Sequence, residues 1–287
     1  MLRVAALQFA TSADRSATLG RAEQLIAQAV QDGAELCVLP EAFTGLYGVQ
    51  NFEANAEDEL GIQSGTLMMS RAAAKHGVFV VGGVIEREAG RLYNTIFAYG
   101  PSGERAARYR KLHLSRVHVA RDKTAEGDVL TPGEDLVAFE VKGFRLGLQN
   151  CFDLRFADCA AALARGLDCH ALLYPSCWLA STGDLGHWDC LLRARALDHG
   201  VYVMGVNVAR DESATVVAYG GSVVIDPLGQ QLGRCGNDGD DATVTAELSM
   251  ERLADVRKRI PLRSAARPEV YQRVGGKRKF DETVGDT

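Results

Sequence analysis

The sequence predicts an α/β fold in which helices cover a mixed sheet or a pair of sheets. Along the 287 residues, short apolar runs of strand length alternate with segments of helical period, which favours parallel strands joined by helices. Other apolar runs are separated only by short turns, which favours antiparallel hairpins in the same fold. The chain is 47% hydrophobic and 24% charged, with no break in composition. It therefore predicts one domain with a large core.

The first part of the chain predicts a strand and helix alternation followed by a hairpin. A helix over 17–32 has an amphipathic period and ends at Gly33, and a second helix over 63–76 ends at Gly77. The predicted strands of this part are 4–9, 36–39, 78–85, 92–99 and one that ends near 110–111.

The segment 112–134 has no clear periodicity and contains Gly127, Pro132 and Gly133. We predict a loop there, and a loop of this length inside a compact domain is often functional. Regular patterns return after it. The predicted strands are 137–141, 145–149, 171–174, 201–206, 221–225 and 243–248, and the predicted helices are 156–166 and 188–199.

Charge and cysteine usage narrow the classes of partner. The net charge is −5, and the basic residues form no stripe with interleaved aromatic residues, so no nucleic-acid partner is predicted. The chain begins without a signal-peptide pattern, and its longest apolar runs are too short to span a bilayer. We therefore expect a cytoplasmic protein whose seven cysteines are thiols. Their spacings match no zinc module, so no metal is predicted.

A carboxylate, an ammonium and a thiol follow three of the predicted strands, at Glu41, Lys111 and Cys151. Because ligands in layered α/β folds bind outside the carboxyl ends of strands, these side chains are expected to meet. A base beside the thiol would generate a nucleophile, and a fixed ammonium would hold the oxyanion formed at an attacked carbonyl. Taken singly, each residue has an ordinary alternative: a solvated turn acid, a lysine on a wet strand edge, or a small core residue.

The three motifs, in their order along the chain, resemble the nitrilase superfamily of carbon–nitrogen hydrolases. They are Leu39-Pro-Glu-Ala-Phe43, Tyr109-Arg-Lys-Leu-His-Leu114 and Asn150-Cys-Phe-Asp-Leu-Arg-Phe156. The similarity extends from about residue 2 to about residue 272. It implies a four-layer αββα sandwich over 1–272, with a C-terminal tail at 273–287.

The resemblance also implies roles for individual residues. Glu41, Lys111 and Cys151 would form the catalytic set, and a second glutamate of the family would fall on Glu126. Glu41 would take the thiol proton, and Lys111 with the backbone N–H of Phe152 would hold the oxyanion. The resulting thioester would be hydrolysed by water. No cofactor and no metal are implied, and the protein is expected to be a homodimer.

Further segments are similar to the branch that contains omega-amidase and the deaminated-glutathione amidases. They are 89–95, 100–103, 182–188, 193–196 and 209–211. This branch implies a small amide substrate with a carboxylate at its far end. Tyr47, Arg155, Arg116 and Arg121 are candidates by residue type to bind that carboxylate, and Trp178 is a candidate wall of the pocket. Arg155 has the alternative of a structural ion pair, and Tyr47 and Trp178 the alternative of core packing.

The chain departs from the branch close to the expected pocket. Phe152 stands where relatives often have tyrosine, and 157–158 is Ala-Asp rather than Pro-Glu. The last three residues of Tyr174-Pro-Ser-Cys-Trp178 also differ. Two alternatives therefore stay open: hydrolysis of an N-carbamoyl amine or a nitrile by the same three residues, and a catalytically silent binding or scaffold protein.

Overall fold

The computed structural model describes residues 1–119 and 122–270 of the chain. Two six-stranded sheets pack face to face and are covered on their outer faces by helices. The predicted α/β class and the four-layer αββα sandwich are confirmed. The expected boundary at residue 272, the tail at 273–287 and Arg121 lie outside the described residues.

Fourteen strands run through the described part of the chain. They are β1 Leu2–Gln8, β2 Leu36–Val38, β3 Phe79–Glu88, β4 Arg91–Tyr99, β5 Arg105–Arg110, β6 Arg116–Val119, β7 Asp122–Ala125, β8 Val137–Val141, β9 Phe144–Leu148, β10 Ala171–Ser176, β11 Tyr202–Asn207, β12 Val223–Ile225, β13 Gln231–Arg234 and β14 Ala242–Leu248.

The two sheets have the same plan. The first has the order β14-β1-β2-β3-β4-β5 and the second the order β13-β12-β11-β10-β9-β8. In each sheet three neighbouring strands are parallel, β1-β2-β3 in the first and β9-β10-β11 in the second, and the outer strands add in antiparallel pairs. This mixture follows from helical crossovers in the centre and hairpins at the edges.

Eight α-helices accompany these strands in the described residues. They are α1 Arg15–Gln31, α2 Val49–Asn55, α3 Gly65–His76, α4 Ala157–Ala161, α5 Ala180–Gly183, α6 His187–His199, α7 Met250–Arg259 and α8 Leu262–Ala265. None of them has the length and apolar character needed to cross a bilayer.

Side-chain alternation along the strands builds three apolar layers. In β1, Leu2, Val4 and Ala6 point between the two sheets, whereas Ala5 and Leu7 point outwards, where they pack with α1 and α3. On the far side, α4 and α6 pack against the second sheet around Trp188. Successive side chains of a strand are therefore buried on opposite faces of its sheet, which gives one apolar layer between the sheets and one on the outer face of each sheet.

Helix ends follow local capping chemistry. The side chain of Asp14 accepts a hydrogen bond from the N–H of Ala17 at the start of α1, and Ser64 accepts one from Leu67 at the start of α3. The helix α3 ends at Gly77, whose φ of +65° lies in the left-handed region that glycine adopts without strain. The helix stops predicted from the sequence agree with these positions.

The structure differs from the prediction in several segments. The segment 112–134 is more regular than expected, because it contains the β6–β7 hairpin and a short 3₁₀ helix at Glu126–Asp128. The helix predicted over 156–166 is divided into α4 and a π-helical turn at Ala162–Gly166. The helices α2, α5, α7 and α8 and the strand β13 were not predicted. Except for the ten-residue α7, these elements and the strands β6 and β7 have at most seven residues, which is too short for a clear pattern in the sequence.

Candidate active site

The strand ends of the first sheet place Glu41 and Lys111 at the same edge. β4 is antiparallel to both β3 and β5, so β5 runs in the same direction as β2 and β3. Lys111 follows β5 directly, and Glu41 follows β2 after Leu39 and Pro40. Both side chains consequently enter the space beyond the carboxyl ends of the strands, as the spacing predicted.

The ammonium of Lys111 lies between two buried carboxylates. Its Nζ donates to Glu41 Oε1 at 2.8 Å, and it lies 3.0 Å from Glu126 Oε1 and 2.9 Å from Glu126 Oε2. None of the three side chains is exposed to solvent. The structure thus brings Glu41, Lys111 and Glu126 into one cluster, although Glu126 follows the hairpin that the sequence did not predict.

The attraction within this cluster offsets the cost of burying its charges. Burial opposes the charge on Lys111, but Glu126 and Glu41 hold its pKa well above the usual value. Burial likewise opposes ionisation of Glu126, whereas the ammonium of Lys111 favours it. The N–H of Ser115 and the hydroxyl of Tyr47 add to that effect, so the pKa of Glu126 is lowered. Near neutral pH, Lys111 is therefore a cation and Glu126 a carboxylate.

Asn94 joins the two carboxylates to the loop that carries the cysteine. Its Nδ2 donates to Glu41 Oε1 at 2.7 Å and lies 3.3 Å from Glu126 Oε1. Its Oδ1 accepts a hydrogen bond of 2.8 Å from Asn150 Nδ2. Sequence reasoning gave Asn94 no role. The signal that could have found it is an amide in the middle of β4, which is buried at every position except its first.

Backbone groups fix the second oxygen of Glu41. The N–H of Cys177 donates to Glu41 Oε2 at 2.7 Å. The segment that carries Glu41 lies against Gly83, because the N–H of Gly83 donates to Pro40 and the N–H of Phe43 donates to Gly83. A Cβ at Gly83 would lie 2.8 Å from Glu41 Cα, which is too close for any side chain. Glycine is therefore required where β3 passes the glutamate.

Cys151 follows β9 at the start of a 3₁₀ helix, Cys151–Arg155. Its φ is +47°, in the left-handed region that non-glycine residues rarely adopt, and such strain often marks a functional residue. Burial raises the pKa of its thiol, Glu41 raises it further and Lys111 opposes the rise. The thiol is therefore protonated at rest, and its ionisation requires a proton acceptor.

Asp153 ties the cysteine loop to the segment around Lys111. Its Oδ2 accepts from the hydroxyl of Tyr109 at 2.6 Å and from the N–H of Asn150 at 2.8 Å. Its Oδ1 accepts from the N–H of His113 at 3.0 Å and lies 2.7 Å from His113 Nδ1. Both flanks of Lys111 are thus bound to a fully buried carboxylate two residues after Cys151.

A small cleft opens over Cys151, with a volume of about 30 Å³. Its walls include Phe152, Arg155, Cys177 and Trp178. The guanidinium of Arg155 lies over the Trp178 ring, 4.6 Å from its centroid, and has no acidic partner among the described residues. The indole N–H of Trp178 is buried without a hydrogen-bond partner in the same part of the chain. Within the described residues, the cleft wall therefore carries one indole N–H without a partner and one guanidinium whose neighbour is the neutral or cationic ring of His187, with 3.5 Å between Arg155 Nη1 and His187 Nδ1.

The other candidates for substrate binding are placed differently. The hydroxyl of Tyr47 donates to Glu126 Oε1, so this side chain lines the cleft but is already engaged with a carboxylate. Arg116 is largely exposed and pairs with Asp128 at 3.2 Å. The ion-pair alternative for Arg155 finds no support in the described residues.

A four-layer αββα sandwich with a carboxylate–ammonium cluster and a cysteine at its strand ends has the architecture of hydrolases that act on carbon–nitrogen bonds. The carbon–nitrogen hydrolase family model matches residues 3–258. The chain belongs to this family, and the resemblance to the nitrilase superfamily is confirmed.

Known relatives agree with this membership. An omega-amidase NIT2 of Xenopus tropicalis is 36% identical over 271 residues, which cover 94% of this chain and 96% of the relative. Saccharomyces cerevisiae Nit3, a member of branch 10 of the nitrilase superfamily, superimposes with a TM-score of 0.81 at 30% identity, covering 91% and 94% of the two chains. A mutant amidase from Nesterenkonia sp. AN1 has acrylamide added to its active-site cysteine. It is 25% identical, with a TM-score of 0.75 over 91% of this chain and 98% of its own.

Replacing Asn94 with Asp tests the role of the amide without creating a cavity. The change puts a third carboxylate beside Lys111 and removes the donor to Glu41 and Glu126. We expect kcat/KM on a short primary amide to fall by about 10²-fold. The acidic limb of the pH–rate profile should move to higher pH, because added negative charge favours protonation of the cluster.

The matched control is Asn237→Asp, which adds the same charge at an exposed position. It should leave both the rate and the pH profile unchanged. A folded Asn94→Asp protein with the wild-type rate and pH profile would show that Asn94 does not act on the carboxylates.

Proposed function

We propose that the protein is an amidase that hydrolyses a short primary amide with a carboxylate at its far end, such as succinamate or 2-oxoglutaramate. The observation that carries the proposal is the Lys111 ammonium held between two buried carboxylates, beside a cleft that contains Cys151. The similarity to omega-amidase over 94% of the chain supports the same reaction class.

Acylation begins with a proton transfer inside the cluster. Glu41 accepts the proton of the Cys151 thiol, and the thiolate attacks the amide carbon. The transfer exchanges one anion for another beside Lys111, so the net charge of the buried site does not change. Lys111 pairs with Glu41 before the transfer and stabilises the thiolate after it.

Two hydrogen-bond donors stabilise the oxyanion that forms when the carbonyl is attacked. Lys111 supplies a charged donor. The backbone N–H of Phe152 lies in the first turn of the 3₁₀ helix, where helical bonding leaves N–H groups free. Donors fixed in a buried site stabilise developing charge without reorganisation. Glu41 returns its proton to the amide nitrogen, the C–N bond breaks, and ammonia leaves the thioester.

Deacylation requires one water molecule. Glu41 removes a proton from the water, whose oxygen attacks the thioester carbon, and the C–S bond breaks. Cys151 regains its proton from Glu41, and the acid product gives up its own proton to solvent and leaves as a carboxylate. Glu126 orients Lys111 and the water while keeping its own charge, since its pKa is lowered.

Arg155 and Trp178 are proposed to bind the far carboxylate of the substrate. A guanidinium without an acidic partner can form charge-assisted hydrogen bonds to a carboxylate, and the indole N–H can donate one more. Phe152 and Leu179, which also line the cleft, would enclose the short apolar middle of the substrate. We assign Tyr47 to positioning Glu126 rather than to substrate binding.

Cys151→Ala should retain the fold and abolish ammonia release from succinamate. In the wild-type protein, mass spectrometry during turnover should show an acyl adduct on Cys151. A panel of ω-amides, N-carbamoyl amines and nitriles assigns the substrate class. Unchanged turnover by Cys151→Ala would refute the nucleophile, and turnover of nitriles alone would refute the amidase.

Arg155→Met keeps the length of the side chain and removes its charge. We expect KM for succinamate to rise by roughly 10- to 100-fold, while kcat/KM for the neutral analogue butyramide stays unchanged. Arg116→Met is the matched control and should leave both constants unchanged, because that arginine lies at the exposed Asp128. An equal loss on both substrates in Arg155→Met would show a structural role.

We also propose a homodimer that works in the cytoplasm, with the catalytic domain spanning 1–272. Leu185 and Leu197, beside and on α6, are exposed apolar side chains on the outer helical layer, which is a suitable surface for a second copy. Six of the seven cysteines are buried free thiols, as expected in a reducing compartment. Sedimentation velocity should show twice the 30.9 kDa chain mass, and a monomer at working concentration would refute the dimer.

A further inference from the structure

A second cavity lies behind the wall of the substrate cleft. Its volume is about 30 Å³, enough for a molecule the size of water or ammonia, and the described residues that line it include Tyr47 and Cys177, which also line the cleft over Cys151. Tyr47 and Cys177 therefore form a partition between two spaces. We call the second space the rear chamber, and Cys151 is not among its lining residues.

The partition touches both catalytic carboxylates. The hydroxyl of Tyr47 donates to Glu126, and the N–H of Cys177 donates to Glu41 Oε2 at 2.7 Å. Burial raises the pKa of both the Tyr47 hydroxyl and the Cys177 thiol, so the partition carries no charge of its own. A small neutral molecule in the rear chamber is thus separated from Glu41 and Glu126 by two side chains.

The two spaces differ in the chemistry of their walls. The cleft has Phe152, Trp178 and Leu179 with one guanidinium, which suits an acyl chain ending in a carboxylate. The rear chamber has small apolar residues and a set of polar ones, which are partly or fully exposed: Thr11, Asn51, Asp211 and Thr215. Oxygen atoms of this kind accept hydrogen bonds from water and from ammonia.

The proposed reaction needs a path that the acyl group does not occupy. Once the thioester forms, the acyl chain fills a cleft that is only large enough for a small substrate. Ammonia must then leave and water must reach the thioester carbon beside Glu41. A space separated from both carboxylates only by Tyr47 and Cys177 meets this requirement, because its occupants do not compete with the acyl chain.

We propose that the rear chamber is the site through which ammonia leaves and the hydrolytic water enters, past Tyr47 and Cys177. The inference rests on the proposed amidase reaction. It adds that the acyl chain lies on the Arg155 side of the site, whereas ammonia and water pass on the Asp211 side. Asp211, at the rim, favours release because a carboxylate attracts ammonia once it is protonated to ammonium.

The test separates acylation from deacylation with succinamate by quenched flow, following ammonia release and the acyl adduct by mass. Ala214 lines the rear chamber and is partly exposed, so Ala214→Trp can fill the space from its rim. We expect deacylation to slow by about tenfold or more, with the adduct accumulating, while the first turnover of ammonia stays within about twofold of wild type. Thr215→Trp, at an exposed rim position, provides the same test if Ala214→Trp does not fold.

Two controls complete the design. Ala214→Ser keeps the volume of the side chain and should match wild type in both phases. Val117→Trp fills the cleft instead, so it should lower the acylation rate and leave the decay of any adduct unchanged. Deacylation in folded Ala214→Trp and Thr215→Trp equal to that of Ala214→Ser, or an equal loss in both phases, would overturn the rear-chamber inference. No acyl adduct in the wild-type protein would instead overturn the proposed function itself.

Discussion

The arrangement of the site depends on one ammonium held between two carboxylates in the interior of a protein. Lys111, Glu41 and Glu126 are all withdrawn from water, and removing Lys111 would leave two buried carboxylates without a counterion, where breaking even one buried ion pair costs about 3–5 kcal/mol. Such a cluster persists only if its remaining donors and acceptors are satisfied. Asn94, Ser115, Tyr47 and Cys177 each supply a hydrogen bond to one of the carboxylates. Much of the local fold serves to hold these four donor groups in position.

The charge of the cluster explains why a thiol with a raised pKa can still serve as a nucleophile. With the thiol neutral, two carboxylates and one ammonium give a net charge of −1. Moving a proton from Cys151 to Glu41 leaves that sum unchanged and gives Lys111 a new anionic neighbour. A water-exposed thiol loses its proton to solvent, whereas the ionisation proposed for Cys151 is an internal exchange that needs no counterion from outside. In this proposal the neighbours of Cys151, rather than its resting pKa, decide its reactivity.

The sequence predicted the parts of the site that follow strands and missed the parts that lie within them. Glu41, Lys111 and Cys151 come just after the strands β2, β5 and β9, so a general rule about strand ends brings them together. Asn94 lies in the middle of β4, and its partners, Glu41 after β2 and Asn150 after β9, become visible only in the folded sandwich. The contributions of Cys177 and Ser115 are backbone N–H groups, which any residue type except proline would supply. A fold class can be predicted from periodicity, but contacts made by backbone atoms leave no pattern in the side chains.

The loop at Cys177 and Trp178 shows how catalysis and specificity can be separated within a few residues. Glu41 receives the backbone N–H of Cys177, while the side chains of both residues face the ligand spaces. A different side chain at either position would change the volume or the polarity of the cleft without removing the hydrogen bond to the base. The departures of this chain from its branch at these positions therefore do not weaken the case for hydrolysis. They bear on which acyl group fits, because the hydrogen bond to Glu41 comes from the main chain, whereas the side chains line the ligand spaces.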